Sequence, residues 1–294
     1  MTAIRTGIIG MGNMGSQYAA LLLDGQVPGM ELAAVTRVRP EQLQKLGLTL
    51  PESLPVYTSA DALFHAVDDK NLGLDAVIIA TPHRLHEEQS ISAMKRGLHV
   101  LCDKPAGIYS RQARLMEEAR PEDLVCAYIF HQRTYPSYQH IRRIIQSGEL
   151  GGLKRMNWTV TDWYRSNAYY QSSSWRGTWK LDGVRICRLD RPEKEYRLTL
   201  GDNFEMPAGT WEGFPMETEP DAYQKILQNF AAAINSGNRE GLTAPWEEAR
   251  KSLLISNAIY LSSWKGETIG IPVPGSDEEL EFEKDFENHW NLEI

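Results

Sequence analysis

The first 130 residues alternate between short runs of apolar residues and segments in which apolar positions recur with helical spacing. The apolar runs, such as MELAAVT and LDAVIIATP, are continuous and do not alternate with polar residues. A strand with one wet face would alternate, so these runs predict strands that are covered on both faces. Helices between such strands complete a parallel sheet with helices on each side. The sequence therefore predicts an α/β fold, with a doubly wound parallel sheet in this part of the chain.

The pattern of apolar and polar residues changes after about Phe130. A segment around Trp158 alternates apolar and polar residues, which predicts a strand with one buried face. VRICRL and EYRLTL have the pattern of an antiparallel hairpin, and two helices and a short strand, TIGIPV, follow later in the chain. We therefore divide the chain into residues 1–126, the doubly wound domain, and residues 127–294, a second, α+β domain.

The composition argues against several classes of function. A formal net charge of −8 over 294 residues argues against binding to nucleic acid, which needs a basic surface. No apolar run is long enough for a membrane span and the N-terminus has no signal-peptide pattern, so we expect a cytoplasmic protein without membrane contact. Cys102, Cys126 and Cys187 are too irregularly spaced for disulfides or a zinc site, which predicts buried free thiols.

Most of the negative charge lies in the tail from Ser276 to Ile294. Within this tail Phe282, Phe286 and Trp290 recur every four residues, which would align three aromatic side chains on one face of a helix. We expect the helix to dock on the rest of the protein through this aromatic face. A motif that binds a partner is the alternative.

The first strand runs into a G-x-G-x-x-G pattern at the start of the first helix. In this context the glycines allow a tight turn, close approach of the backbone to a pyrophosphate, and packing of the helix on the strand. The helix N-terminus would face the phosphates. We therefore predict that the first domain binds a dinucleotide. The predicted cofactor contacts in this loop are Gly10, Gly12, Asn13, Met14 and Gly15.

The second strand ends at VTRVRPE, where the group that recognises the adenosine ribose is expected. An acid at this place would bind the ribose 2′-hydroxyl, but none occurs before Glu41. Thr36, Arg37 and Arg39 suit a 2′-phosphate instead, because guanidinium and hydroxyl groups bind phosphate oxygens. The sequence therefore favours NADP over NAD and leaves both open. Surface arginines without a ligand role are the alternative.

The fourth strand is followed by ATPHRLHEE, at the carboxyl edge where doubly wound sheets bind their ligands. His83, His86 and Glu87 have a spacing that can gather a metal ion on a helix. No further ligand is well placed, so we expect no metal. A helix that starts beside the cofactor explains the segment better, which makes Thr81, Pro82 and His86 predicted cofactor contacts.

The fifth strand ends in VLCDKPAG, which places a lysine at the mouth of a buried strand. Lys104 would lie at the same edge as Gly12 and Thr81, and Pro105 prevents the strand from continuing. A lysine beside a nicotinamide ring can donate a proton or a hydrogen bond to the substrate oxygen during hydride transfer. A surface lysine in a turn is the alternative, and position alone does not decide between the two.

The combination of GIIGMGNMG, DAVIIATPHRLHEE, GLHVLCDKPAG and the later FAAAINSG resembles the Gfo/Idh/MocA oxidoreductases, the relatives of glucose-fructose oxidoreductase and inositol dehydrogenase. The resemblance extends over nearly all of residues 1–275. It implies an N-terminal Rossmann domain and a C-terminal domain with an open, mostly antiparallel sheet that commonly carries the subunit contact. It also implies hydride transfer between NAD(P) and a hydroxyl-bearing carbon of a sugar, cyclitol or related polyol.

Carried over by position, Asp103, Lys104 and Pro105 match the E-K-P motif of the family, with aspartate in place of glutamate. The resemblance thereby implies that Lys104 is the catalytic lysine and that Asp103 and His86 lie close to the cofactor. It further implies a substrate site in later segments, with structural packing of aromatic residues as the alternative. The residues implied there are Arg133, Tyr135, Trp163, Tyr164, Arg165, Trp175 and Arg176.

The chain departs from the family at GTWKLDGVRICRL, where Gly183 runs directly into the predicted hairpin. The family has a glycine-rich turn, a helix bearing a histidine and further strands at this place. This chain has no histidine between His140 and His289. We therefore expect a shortened C-terminal domain, whose exposed sheet edge allows a homo-oligomer.

Two functions are consistent with these features. The first is an NAD(P)-dependent dehydrogenase or reductase of a small polyol or sugar, in which Lys104 acts alone or with a borrowed group such as His131, Tyr135 or Asp182. The second is a catalytically silent subunit that binds a dinucleotide as a sensor or an assembly component. The intact cofactor motifs favour the enzyme.

Overall fold

The computed structural model describes residues 3–149, 151–152, 170–171, 174–176 and 220–292. The strands are β1 (Ile4–Ile9), β2 (Met30–Thr36), β3 (Val56–Tyr57), β4 (Ala76–Ile79), β5 (His99–Asp103) and β6 (Cys126–Ile129). The first six helices are α1 (Asn13–Leu23), α2 (Pro40–Leu46), α3 (Ala60–Asp68), α4 (His86–Met94), α5 (Ser110–Glu118) and α6 (Pro136–Ser147). Three more follow: α7 (Ala222–Ser236), α8 (Glu248–Lys265) and α9 (Asp277–Leu292).

The six strands form one parallel sheet in the order β3-β2-β1-β4-β5-β6. This order confirms the predicted doubly wound sheet of Rossmann type. Because all strands run in the same direction, the loops after β1, β2, β4, β5 and β6 emerge at one edge. The register pairs Ile9 with Ile79, Ile79 with Cys102, and Asp103 with Ile129, so the loops after these four strands begin at nearly the same height.

Apart from the short edge strand β3, where Val56 is exposed, the strands are buried on both faces, as the continuous apolar runs predict. In β4, Ala76 and Ile78 face one core and Val77 and Ile79 face the other. Helices α3, α4, α5 and α8 cover the face of Val77, and helices α1 and α7 cover the face of Ile78. Burial of each large aliphatic or aromatic side chain in these cores stabilises the fold by about 1.5–3 kcal/mol.

Local capping positions two of the helices. The Ser59 hydroxyl accepts a hydrogen bond from the Ala62 N–H at 3.1 Å and so caps the N-terminus of α3. Ser110 is the first residue of α5, so its N–H has no acceptor within the helix. Its N–H instead donates to Oδ1 of Asn257 at 2.8 Å, so α8 supplies the missing acceptor.

The acidic tail forms α9 and docks through its aromatic face, as predicted. Phe282, Phe286 and Trp290 are buried against a cluster that includes Leu261 and Trp264 of α8. The tail is also held by charge, because the Arg114 guanidinium pairs with Glu283 at 2.8 Å.

The predicted strand TIGIPV is not formed. Residues 268–273 have no regular structure, and Ile271 and Val273 are exposed. A strand needs a hydrogen-bonded neighbour, and the described residues provide none beside this segment.

The strand predicted around Trp158 and the hairpin predicted over 184–200 lie outside the described residues. No helix in the described part of the chain is long and apolar enough to cross a membrane. Cys102 and Cys126 are buried free thiols, as predicted, and Cys187 lies outside the described ranges.

Candidate functional site

The loop between β1 and α1 uses its three glycines in three different ways. Gly10 has a left-handed φ of 99°, and a Cβ there would lie 2.8 Å from the Ala80 carbonyl oxygen. A Cβ on Gly15 would collide with the Gly10 carbonyl oxygen. A Cβ on Gly12 would meet nothing within 4 Å. Gly10 therefore allows the turn, Gly15 allows the close packing of α1, and Gly12 leaves its backbone open to an approaching ligand.

The N-terminus of α1 is suited to an anion. The first N–H groups of a helix have no acceptor within the helix, and the helix dipole makes this end positive. The first turn contains no acid, and Asn13 is exposed there while Met14 packs partly against the core. The residues of this loop therefore fit a pyrophosphate group.

The two residues at the end of β2 have different roles. Thr36 is fully buried, and its hydroxyl accepts a hydrogen bond from the Gly10 N–H at 3.0 Å. The Thr36 carbonyl accepts a second bond from the Met11 N–H at 3.1 Å, so Thr36 supports the glycine loop from below. Arg37 is exposed, has a left-handed φ of 52°, and forms no ion pair with any carboxylate of the described residues. Of these two residues, only Arg37 has an exposed side chain at this edge of the sheet.

His86 joins the loop after β4 to the loop after β5. It is completely buried, with Nδ1 2.8 Å from the Pro105 carbonyl oxygen and Nε2 2.8 Å from the Thr81 carbonyl oxygen. Burial lowers the pKa of His86 to about 4. A neutral ring donates to only one of the two oxygens at a time. Both nitrogens are thus occupied within the protein, and His86 holds the loops in place beside the site.

The turn after β4 also places the His83 ring against an aromatic residue from a later part of the chain, Trp175. The His83 ring lies 5.7 Å from the His86 ring and 5.1 Å, edge to face, from the Trp175 ring. Pro82, the residue before His83 in this turn, is partly exposed. The Thr81 hydroxyl donates to the Gln89 side chain at 2.6 Å. Within the described ranges, no three His, Cys, Asp or Glu side chains are grouped so that they could hold a metal ion.

Lys104 follows β5 with its side chain exposed at the carboxyl edge. Its N–H donates to Oδ1 of Asp103 at 2.8 Å, and the bond between Lys104 and Pro105 is cis. Asp103 is buried, which raises the pKa of its carboxyl to about 6 even though Lys104 acts in the opposite direction. Tyr18 of α1 is fully buried close to this carboxyl, and its own pKa is raised by burial first and by Asp103 second.

A cluster of aromatic rings closes the site on the side of β6. The His131 ring lies 4.5 Å from Tyr223 of α7 and 6.1 Å from Tyr135. Tyr223 in turn lies 5.8 Å from Tyr18. Burial lowers the pKa of His131, with Lys104 as the second cause, and burial together with Asp103 raises the pKa of Tyr223 to about 12.

The structure places the residues implied for the substrate site in three groups. Tyr135 lies beside His131, and Trp175 lies beside His83 with the Arg176 guanidinium 5.9 Å from its ring. Arg133 is directed to α8, where it pairs with Glu248 at 3.3 Å and lies over the Phe130 ring. The other implied residues, Trp163, Tyr164 and Arg165, lie outside the described residues, as does Asp182.

Two residues of this site were not anticipated from the sequence. Tyr18 lies in the middle of an apolar helix and Tyr223 at the start of a distant one, so neither belongs to a local motif. Their shared approach to Asp103 depends on the packing of α1 and α7 on the same face of the sheet. Only the tertiary fold reveals it.

The chain is similar in sequence to known oxidoreductases. Residues 4–130 match the family model of the oxidoreductase family with an NAD-binding Rossmann fold, Gfo/Idh/MocA. The chain is 31% identical over 150 residues to inositol 2-dehydrogenase 4 of Saccharopolyspora erythraea, covering 50% of this chain and 42% of that protein. It is 32% identical over 151 residues to D-glucoside 3-dehydrogenase of Escherichia coli, covering 51% of this chain and 41% of that protein. The matched part thus spans less than half of either relative.

A solved structure extends the likeness in fold beyond that part. The WlbA dehydrogenase of Bordetella pertussis, in complex with NADH and UDP-GlcNAcA, superimposes with a TM-score of 0.63 and 18% identity. The superposition covers 93% of this chain and 99% of that one, which shows a similar fold. The present chain therefore has a Rossmann fold. The match of residues 4–130 to the Gfo/Idh/MocA family model confirms the resemblance for this part of the sequence.

Proposed function

We propose that this chain is an NAD(P)-dependent oxidoreductase that transfers hydride between the nicotinamide cofactor and a hydroxyl-bearing carbon of a sugar, cyclitol or related polyol. One observation carries the proposal: the open glycine loop after β1 and the exposed Lys104 after β5 lie at the same edge of the sheet. The inositol and glucoside dehydrogenases among the relatives support the substrate class.

The glycine loop and the end of β2 are the parts that would hold the cofactor. The open backbone at Gly12 and the N–H groups that begin α1 would bind the pyrophosphate. The exposed Arg37, which pairs with no carboxylate among the described residues, would bind a 2′-phosphate, and no acid at the end of β2 competes for the ribose, which favours NADP over NAD. When bound, the cofactor supplies the hydride acceptor or donor.

Lys104 would act on the oxygen atom of the substrate. Its ammonium group can donate a hydrogen bond to this oxygen and stabilise the negative charge that develops as the C–H bond breaks. The hydrogen bond from the Lys104 backbone to Asp103 and the buried His86 fix the loop that carries the lysine. These residues would therefore position the ammonium group while leaving it exposed to the substrate.

Aromatic rings on two sides of Lys104 would bind the apolar faces of a sugar or cyclitol ring. Tyr135 stands on the side of β6 and Trp175 on the side of the loop after β4. Arg176 is a candidate to donate hydrogen bonds to substrate hydroxyls. Trp163 and Arg165 are further candidates for contact with the substrate. Arg133 is the weaker candidate, because its guanidinium pairs with Glu248.

A panel of sugars and cyclitols assayed with NADP⁺ and NAD⁺ tests the proposal. We expect at least one polyol to reduce the cofactor. In the Lys104→Met variant we expect kcat/KM to fall by about 10²- to 10⁴-fold, while the Kd for the cofactor changes little. Lys95→Met is the matched control, because Lys95 is an exposed lysine next to the C-terminus of α4.

Two other outcomes would contradict parts of this proposal. An unchanged rate in Lys104→Met would show that the lysine is a surface residue without a catalytic role. Binding of the cofactor with no turnover across the panel would favour a catalytically silent, dinucleotide-binding subunit.

A further inference from the structure

We infer that His131 is the acid–base group that exchanges the hydroxyl proton of the substrate, acting beside Lys104. The inference rests on the proposed function and deepens it by assigning the proton transfer that must accompany hydride transfer.

The sheet register brings His131 and Lys104 together. Asp103 of β5 pairs with Ile129 of β6, so Lys104 and the turn that begins at His131 leave neighbouring strands at the same height. Neighbouring strands lie about 4.8 Å apart, which is within the reach of a lysine and a histidine side chain. Lys104 is exposed and His131 is half-buried, so both can face a ligand at this edge.

Of the three histidines at this edge, His131 has its ring nitrogens available. Both nitrogens of His86 face carbonyl oxygens at 2.8 Å in a fully buried position. His83 packs edge to face with Trp175 and lies on the opposite side of the site, after β4. Neither ring nitrogen of His131 is hydrogen-bonded within the described part of the chain, and neither is buried without a partner. A proton can therefore reach His131 from a substrate, but not His86.

Two tyrosines fix the orientation of the His131 ring. Tyr223 lies 4.5 Å from it with an interplanar angle of 30°, so its ring covers one face of the imidazole. Tyr135 approaches at 6.1 Å with an angle of 66°. Contacts of this kind restrain the imidazole through its faces and leave the nitrogen atoms on its rim free.

The surroundings keep His131 in its neutral form. The titratable groups that face it are Lys104 after β5, Tyr223 of α7 and Tyr135 before α6, and of these Lys104 carries the charge. Burial and the Lys104 charge both lower the pKa of His131 below its usual range. A neutral imidazole at pH 7 accepts a proton, as a general base must.

In the direction of alcohol oxidation, the C–H bond of the carbinol breaks and the hydrogen leaves with its electron pair as hydride, for which NAD(P)⁺ held at the glycine loop would be the acceptor. The O–H bond breaks, its electrons form the second bond of the carbonyl group, and its proton passes to the free nitrogen of His131. Lys104 keeps its proton and donates a hydrogen bond to the same oxygen. Reduction follows the reverse path, with the protonated imidazole as the acid.

The first experiment measures the ionisation of His131 without any turnover. Imidazole NMR of the ¹⁵N-labelled protein across pH gives the His131 pKa, assigned with the His131→Asn variant. We expect a value below the ordinary value of about 6.5, which rises in Lys104→Met. A wild-type value at or above about 6.5, or one that Lys104→Met leaves unchanged, overturns the inference whatever the activity is.

The second experiment uses the polyol and the cofactor that the panel identifies. In His131→Asn we expect kcat for oxidation to fall by about 10²- to 10⁴-fold, with an unchanged Kd for the cofactor. Oxidation by the wild type should decline as pH falls through the His131 pKa, because the protonated ring accepts no proton. This acidic limb should be absent from the residual activity of the variant.

Controls separate this inference from the proposed function. His131→Gln repeats the test if the asparagine variant does not fold, and His65→Asn, at an exposed histidine of α3, should keep the full rate. Wild-type activity and an intact acidic limb in His131→Asn would overturn the role of His131 and leave the proposed function standing. Cofactor binding without oxidation of any polyol would overturn both.

Discussion

At the scale of single residues, the glycines of the first loop are not equivalent. Gly15 lies against the Gly10 carbonyl oxygen with no room for a methyl group, whereas Gly12 borders open space. Gly15 is therefore required for the chain to fold, whereas Gly12 would be required for a ligand to approach the backbone. The G-x-G-x-x-G spacing predicts the loop, but it does not distinguish these two requirements.

Two substitutions in this loop should separate folding from binding. We expect Gly12→Val to fold with an unchanged Tm, because its Cβ meets no atom within 4 Å, and to weaken NADPH binding by at least about 10-fold because the side chain occupies the approach to the phosphates. We expect Gly15→Ala to destabilise the protein by about 1–3 kcal/mol through overpacking. Thermal unfolding and cofactor titration of both variants check the pair. Equal Tm values for the two variants would be inconsistent with the geometry of the loop.

Single residues also mark the limit of what the sequence could predict. The sequence predicts that Thr36 and His86 contact the cofactor, which stays a prediction; both residues lie at the carboxyl edge of the sheet. It could not show that Thr36 is buried beneath Gly10, because a threonine at a strand end can face the solvent or the core. Nor could it show that His86 bonds to Pro105, since that contact joins residues 19 positions apart.

At the scale of elements, helix α9 combines an acidic sequence with a buried aromatic face. The spacing of its aromatic residues predicts which face docks, because residues four apart lie one above the other on a helix. It does not predict the partner, which is formed by α8 and the segment before α5. The ion pair of Glu283 with Arg114 could not be predicted from the sequence either, because the two residues lie 169 positions apart.

The docking of α9 should contribute strongly to the stability of the protein. Phe286 is 1% exposed and packs on Trp264, Trp290 and Tyr109. We expect Phe286→Ala to lower the free energy of unfolding by about 3–5 kcal/mol. Leu280→Ala, on the same helix but at a side chain that is 50% exposed, should change it by less than about 0.5 kcal/mol. Urea unfolding of both variants measures the difference, and similar losses in the two would show that the aromatic face does not anchor the helix.

At the scale of the whole molecule, the helices after residue 220 complete the cores of the Rossmann sheet. Helix α7 contributes Phe230 to the core that contains Ile78, and α8 contributes Leu253 to the core that contains Val77. Their amphipathic patterns predict helices but not the surface that they cover. The order of the six strands was more predictable, because continuous apolar runs joined by helices allow few topologies.

The same packing explains why the candidate site draws on distant parts of the chain. The cofactor loop, Lys104 and His131 come from three loops of one sheet edge, and Tyr223 arrives on α7. The division into two domains at residue 126 remains a prediction. The match of residues 4–130 to the family model covers the glycine loop, His86 and Lys104, whereas the substrate side rests on the proposals above.

Calorimetric titration of the full chain with NADPH and with NADH tests whether the sheet edge formed by the glycine loop, Arg37 and Lys104 binds a nicotinamide dinucleotide. We expect saturable binding of one cofactor per chain, with a lower Kd for NADPH than for NADH because Arg37 would bind the 2′-phosphate. Equal or reversed affinities would rule out this role of Arg37, and the absence of saturable binding by either cofactor would show that this edge is not a dinucleotide site.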